Sequence, residues 1–213
     1  MDWKEIWGIM LYGSMWGFTE ATLGVMLHLM HYPLKGPVLM SVGVFLMAAA
    51  LRMYQPKNAI LYCLSIGLVA SLLKVSDVFL VGFDVMVLRP MISILVEALA
   101  FGLMMKLLQK HEIGDRLKYP AAGAGYAYIS YAGFALLLGV AGLGSRYWSG
   151  KTLTDLMYAV ASDGTTTALM SVFMVSAGLL TGSWLQNLGY DRYHKPMAVA
   201  VILVCWVLGL TFT

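Results

Sequence analysis

Residues 69–84 read VASLLKVSDVFLVGFD. They close an apolar run, 58–83, that is long enough to cross a bilayer. Yet the stretch carries Lys74, Asp77 and Asp84. Charges at membrane depth are costly and usually face a protein interior or an aqueous cavity. The fold and the function both turn on how that conflict is resolved.

Composition settles the environment first. Of 213 residues, 60% are hydrophobic and 12% charged, with a mean hydropathy of +0.78. A soluble domain of this size needs more polar surface to cover its core. The expected class is an all-α integral membrane protein, a polytopic bundle in the cell (inner) membrane. Apolar runs fall at about 5–30, 37–52, 58–83, 89–109, 119–144, 164–188 and 196–212. They are continuous rather than alternating, which selects helices over a barrel. The second and seventh are short, so the count is six to seven crossings in a single domain spanning 1–213. HYPLKGP (31–37) and YQPKN (54–58) read as turns, and Pro90 as the first turn of the fourth helix. Ser162 and Asp163 are placed to cap the sixth. The segment 145–163 reads as the longest outer connection, a lid or interfacial turn.

Basic residues orient the chain. The amino terminus and the even-numbered connections hold Lys4, Arg52, Lys57, Lys106, Lys110, Arg116, Lys118, Arg192 and Lys195. The odd-numbered connections hold Lys35, Arg89, Arg146 and Lys151. This puts the amino terminus in the cytoplasm. No cleavable signal peptide is expected, because the first run has an acidic, aromatic lead and contains Glu20. Cys63 and Cys205 lie in separate apolar runs and suggest neither a disulfide framework nor a metal cluster.

The intramembrane charges fall into stripes. Lys74, Asp77 and Asp84 lie within about 80° on one helix face, and Arg89, Ser93 and Glu97 recur every fourth residue on the next helix. Glu20 and His28 sit on the first. Glu20, Lys74, Asp77 and Glu97 are roughly 10–16 Å below the outer helix ends, with Asp84, Arg89, Asp163, His28 and His31 near the rim. An outward-facing solute cavity is the simplest use for that pattern. Its expected ligand residues are Glu20, Lys74, Asp77, Glu97, Trp16, Ser93 and His28, with Asp84, Arg89 and Asp163 at its rim. Structural readings stand beside these: Lys74 pairing with Asp77 at i,i+3, Asp84 pairing with Arg89, Asp163 as a cap. Tyr126, Tyr128 and Tyr131 are weaker cavity candidates, since tyrosines near helix ends also form the interfacial belt. No metal or other cofactor is expected. Gly13, Gly17 and Ala21 form a small-residue face suited to close helix packing, within the bundle or with a partner; Gly178 and Gly182 form another.

No P-loop, HExxH or GxSxG motif occurs, so an enzyme is not expected and any ATP-derived energy comes from another chain. Nucleic-acid binding has no support either. The chain resembles the substrate-binding S components of energy-coupling-factor (ECF) transporters. The resemblance spans residues 5–188 and rests on the Gly13, Gly17, Ala21 face, on LHLMHYPLKGPVLMSVGVFLM (27–47) and on RPMISILVEAL (89–99). It implies capture of a small water-soluble vitamin or precursor, bound in the outer half beneath a lid at 31–37. It also implies that Gly13, Gly17 and Ala21 dock a transmembrane coupling subunit, with ATPases in further chains. Nickel and cobalt members carry histidine directly after the initiating methionine; Asp2 stands there here and argues against that branch. Three acids against one base in the inner set favour a cationic ligand. Other uses of the same acids are a proton- or cation-coupled transporter or channel, or an accessory subunit of a membrane complex.

Overall fold

The computed structural model describes residues 2–81, 85–110, 115–140, 153–187 and 194–212, and these are helical with no strand among them. The helices are α1 (Trp3–Leu29), α2 (Lys35–Tyr54), α3 (Ala59–Val81), α4 (Val85–Lys110), α5 (Asp115–Val140), α6 (Leu153–Asn187) and α7 (His194–Phe212). Among the described residues three stretches are long and apolar enough to cross a membrane: Lys35–Tyr54, Leu88–Gln109 and Val160–Asn187. Ala59–Lys74 and Lys195–Thr211 are apolar over shorter lengths.

Local chemistry sets the early boundaries. The α1 helix stops where His31 turns to a positive φ of 51°, with the Tyr32 N–H bonded back to the Leu27 carbonyl at 3.0 Å. Gln55, at φ 45°, ends α2 in the same way. A left-handed residue of this kind satisfies terminal carbonyls that would otherwise lack donors. Pro33 and Pro56 follow and prevent helical continuation. Asn58 then starts α3, its Oδ1 accepting the Leu61 N–H at 3.2 Å.

Two boundaries differ from the sequence expectation. The α6 helix begins at Leu153, so Ser162 and Asp163 lie within it rather than capping it. Part of the expected outer connection is therefore helix. Similarly, α4 begins at Val85, which places Pro90 inside the helix instead of at its first turn.

Packing runs in a ring. In the order α1, α2, α6, α5, α4, α3 each helix lies against the next, and α3 closes back on α1. The α7 helix leans on the outside, mainly against α1, where the Trp206 indole donates to Ser14 Oγ at 3.0 Å. Small residues allow the closest approaches. A methyl at Gly13 would fall 2.6 Å from Val69 Cβ, and one at Gly17 2.7 Å from the Ala70 carbonyl oxygen. Ala21 is buried as well. Gly13 and Gly17 thus lie directly against α3 of the same chain. Gly178 and Gly182 similarly seat α6 on the backbone of α2, at Phe45 and Ala49.

The outside of the bundle is apolar too. Leu99, Leu103 and Leu107 form an exposed stripe on α4; Leu169, Phe173, Leu180 and Trp184 do so on α6. Phe173 alone is 74% exposed. Water would not tolerate such a continuous surface, but lipid tails do. This is the exterior of a membrane protein.

Candidate functional site

A cavity of about 610 Å³ opens at the end of the bundle where α1 stops and α2 starts. Such a volume suits a small organic ligand. Four helices contribute: α1 with Glu20 and His28, α2 with Lys35, Gly36, Leu39 and Met40, α4 with Arg89, Pro90, Ser93, Ile94 and Glu97, and α5 with Ser130, Tyr131 and Phe134. The i,i+4 spacing of Arg89, Ser93 and Glu97 presents all three from α4 to the cavity.

Glu97 is the most constrained member. It is 4% exposed, with Ser93 Oγ donating to its Oε1 at 2.8 Å and the Tyr126 hydroxyl lying 3.2 Å from its Oε2. That hydroxyl is also 3.1 Å from the Met40 carbonyl oxygen, so its one hydrogen serves two acceptors. Tyr126 is fully buried, its ring meeting Phe101 edge-on at 5.8 Å. The carboxyl is thereby tied to α5 and, through the carbonyl, to α2. Glu20 is 9% exposed and feels Lys74 as its opposite charge. The two glutamates are close enough to act on one another. Lys74 offsets the charge of Glu20, whereas the Glu97 carboxyl meets the Ser93 and Tyr126 hydroxyls and so repels its neighbour unless a cation or a proton joins it.

The other residues singled out from sequence divide clearly. Lys74 is buried beside Glu20 but is not among the described lining residues. Trp16 does not line the cavity: it is wholly buried, its ring against Gly43, and its indole N–H faces Glu20 without closing a hydrogen bond. Asp163 stands exposed on α6 beside Ser162; it is not among the described lining residues, though it is close enough to act on Tyr131, which is. Asp84 and the Asp77 side chain lie outside the described residues. His31 serves as the α1 terminator. Tyr131 lines the cavity, with Thr167 Oγ1 3.4 Å from its hydroxyl, whereas Tyr128 bonds Thr165 at the surface. Among the described residues no three His, Cys, Asp or Glu side chains converge as a metal site requires.

Sequence reasoning missed Lys35, Leu39, Met40, Ile94, Ser130 and Phe134 as cavity residues. The apolar ones are indistinguishable in sequence from ordinary core. Lys35 counts in the sequence among the basic residues that orient the chain and, through the family resemblance, as part of the 31–37 lid, but not as a ligand residue. A smaller cleft of about 290 Å³, among Leu51, Arg52, Gln55, Met105 and Lys118, lies at the opposite end. Its arginine is already bonded to Ser183 Oγ at 2.8 Å, and no acid is among its described lining residues. Comparison of the chain with protein-family models, with curated proteins and with solved structures returns no match.

Proposed function

We propose that this is the membrane-embedded substrate-binding subunit of an ECF-type importer, which captures a small water-soluble solute in the four-helix cavity. All the long helices cross the membrane, six to seven in number, with the amino terminus in the cytoplasm. The cavity then opens on the outer side. The observation that carries this reading is a ligand-sized space with two buried glutamates on its floor. Buried acids at membrane depth are expensive, and a solute that neutralises them offsets that cost. The chain has no nucleotide-binding motif, so coupling and ATPase subunits supply the energy. Because α3 covers Gly13 and Gly17, the coupling subunit docks on a different surface.

A second reading is supported by the Ser93–Glu97–Tyr126 chain, which resembles a short proton path. It makes the protein a cation-coupled carrier acting alone. One pair of measurements separates the two. Protein purified gently from its native membrane should retain a small molecule in native mass spectrometry, and Glu97→Gln should lose it. Liposomes containing only this chain should show no ion-gradient-driven accumulation of that molecule. Gradient-driven uptake by the chain alone would favour the carrier; no retained molecule in either protein would remove the capture reading.

A further inference from the structure

The polar groups of the cavity are sorted by depth. The α1 helix arrives at the open end, carrying Glu20 deep and His28 at the mouth; α4 departs from that end, carrying Arg89 at the mouth and Glu97 deep. On each helix the acid and the base are eight residues apart, a rise of about 12 Å. Lys35, the first residue of α2, adds its ammonium at the mouth, 3.1 Å from His28 Nδ1. Arg89 and Lys35 thus place positive charge at the opening, while the floor holds Glu97 and Glu20, the latter beside buried Lys74.

Ser130 shows independently that the space is built for an occupant. Its side chain is 2% exposed, it lines the cavity, and its hydroxyl has no hydrogen-bond partner. Other helical hydroxyls in this chain return to the carbonyl four residues back, as Thr19, Thr22, Ser41, Ser65 and Ser176 do. Ser130 does not. A buried hydroxyl left unpaired is destabilising, and a polar ligand in the cavity would satisfy it. The rings of Tyr131 and Phe134 add π faces to the wall, surfaces that favour organic cations.

We propose that the solute is dipolar: an ammonium or similar organic cation bound between Glu20 and Glu97, joined by a short spacer to an anionic group held at the mouth by Lys35 and Arg89. This rests on the capture reading above and specifies the substrate class. The cationic end provides most of the affinity, because its partners are buried. The anionic end meets partly solvated bases, so it contributes orientation and a smaller gain.

A matched set of probes tests this on the full purified chain: 6-aminohexanoate, its amide and its N-acetyl derivative, with 4-aminobutanoate and 8-aminooctanoate to vary the spacer. Binding is read as the shift in thermal unfolding midpoint across a concentration series. The zwitterion of fitting length should bind about threefold to tenfold tighter than its amide, and the N-acetyl anion should not bind. Lys35→Gln should bring the zwitterion part of the way down towards the affinity of the amide, and Lys35→Gln with Arg89→Gln should remove the difference between the two. Equal binding of zwitterion and amide, or best binding by the anion, overturns the dipolar assignment while capture stands. If no probe binds but native mass spectrometry shows a retained molecule without both charges, the assignment falls in the same way. If no probe binds and no molecule is retained, capture itself falls.

Discussion

The two ends of the bundle are made from the same helices but packed to opposite purposes. Around the start of α1 the helices pack closely, leaving only smaller clefts among the described residues. Tyr12 meets Tyr54 edge-on at 6.2 Å, Tyr54 meets Tyr62 at the same separation, and Gly8 lies against both Tyr54 and Tyr62. The α2 terminus is tied there to α6 by Gln186, whose Nε2 donates to the Arg52 and Met53 carbonyls at 2.9 and 2.8 Å. Around the end of α1 the helices part over a cavity of about 610 Å³ with acids on its floor. The filled end fixes where the helices stand, so the open end can hold groups that do not stabilise the fold. Local departures from good packing concentrate where function requires them.

The sharpest way to break that contrast is to make a small substitution at each end. At the filled end, a Cβ at Gly178 would run into the Phe45 carbonyl oxygen and sit 3.0 Å from Ala48 Cβ. Backbone cannot rotate aside, so Gly178→Val should cost about 3 kcal/mol or more, the upper end for overpacking. The readout is a large fall in unfolding midpoint in detergent, or loss of monodisperse protein. Near the open end, a Cβ at Gly24 meets only Leu39 Cδ1 at 3.7 Å and Glu20 Oε2 at 3.9 Å. Gly24→Ala should be neutral, or stabilising by up to about 1 kcal/mol through helix propensity. Similar losses at the two positions would mean that the ends are equally tight.

Tyr126→Phe probes the boundary between the ends. The substitution keeps the edge contact with Phe101 but removes the hydroxyl shared by Glu97 and Met40. A loss of about 1 kcal/mol is expected in thermal or chemical unfolding. Retained-ligand occupancy should fall with it, because Glu97 keeps only the Ser93 bond. Unchanged stability together with unchanged occupancy would show that Glu97 is not positioned through α5.

How much of this was legible in the sequence follows from what each signal encodes. Turn chemistry and apolar length are local, so the ends of α1 and α2 at the two prolines could be read directly. The start of α6 could not. The apolar LMYAV segment at 156–160 is too short to span by itself and so reads as a turn, but a helix continues past the membrane-length stretch as long as its outer residues can be solvated, as exposed Met157 and Tyr158 are. Periodicity along α4 placed Arg89, Ser93 and Glu97 on one face, and that face lines the cavity. Periodicity within one helix says nothing about its rotation against another. For that reason Trp16, one turn from Glu20, could be taken for a cavity wall although it packs on Gly43. The Gly13, Gly17, Ala21 face announced a close approach without naming the neighbour, which at Gly13 and Gly17 is α3.

The smallest expected effect is also the most selective, because it compares two serines that share an unusual state. Ser130 and Ser171 are both buried, and neither hydroxyl has a hydrogen-bond partner. Ser130 lines the cavity; Ser171 does not, and instead sits where α6 passes Gly123 of α5. Removing an unsatisfied buried hydroxyl relieves a desolvation cost, so Ser130→Ala and Ser171→Ala should each leave the empty protein as stable as before or more so, by up to about 1 kcal/mol. Their effects should diverge once a ligand is present. Ser130→Ala deletes a group that the solute satisfies, so occupancy at fixed ligand should fall severalfold while Ser171→Ala leaves it unchanged. Stability and binding then move in opposite directions at Ser130 alone, which a purely structural role for that hydroxyl would not produce. Parallel behaviour of the two variants in both measurements would make the Ser130 hydroxyl a packing defect rather than part of the site.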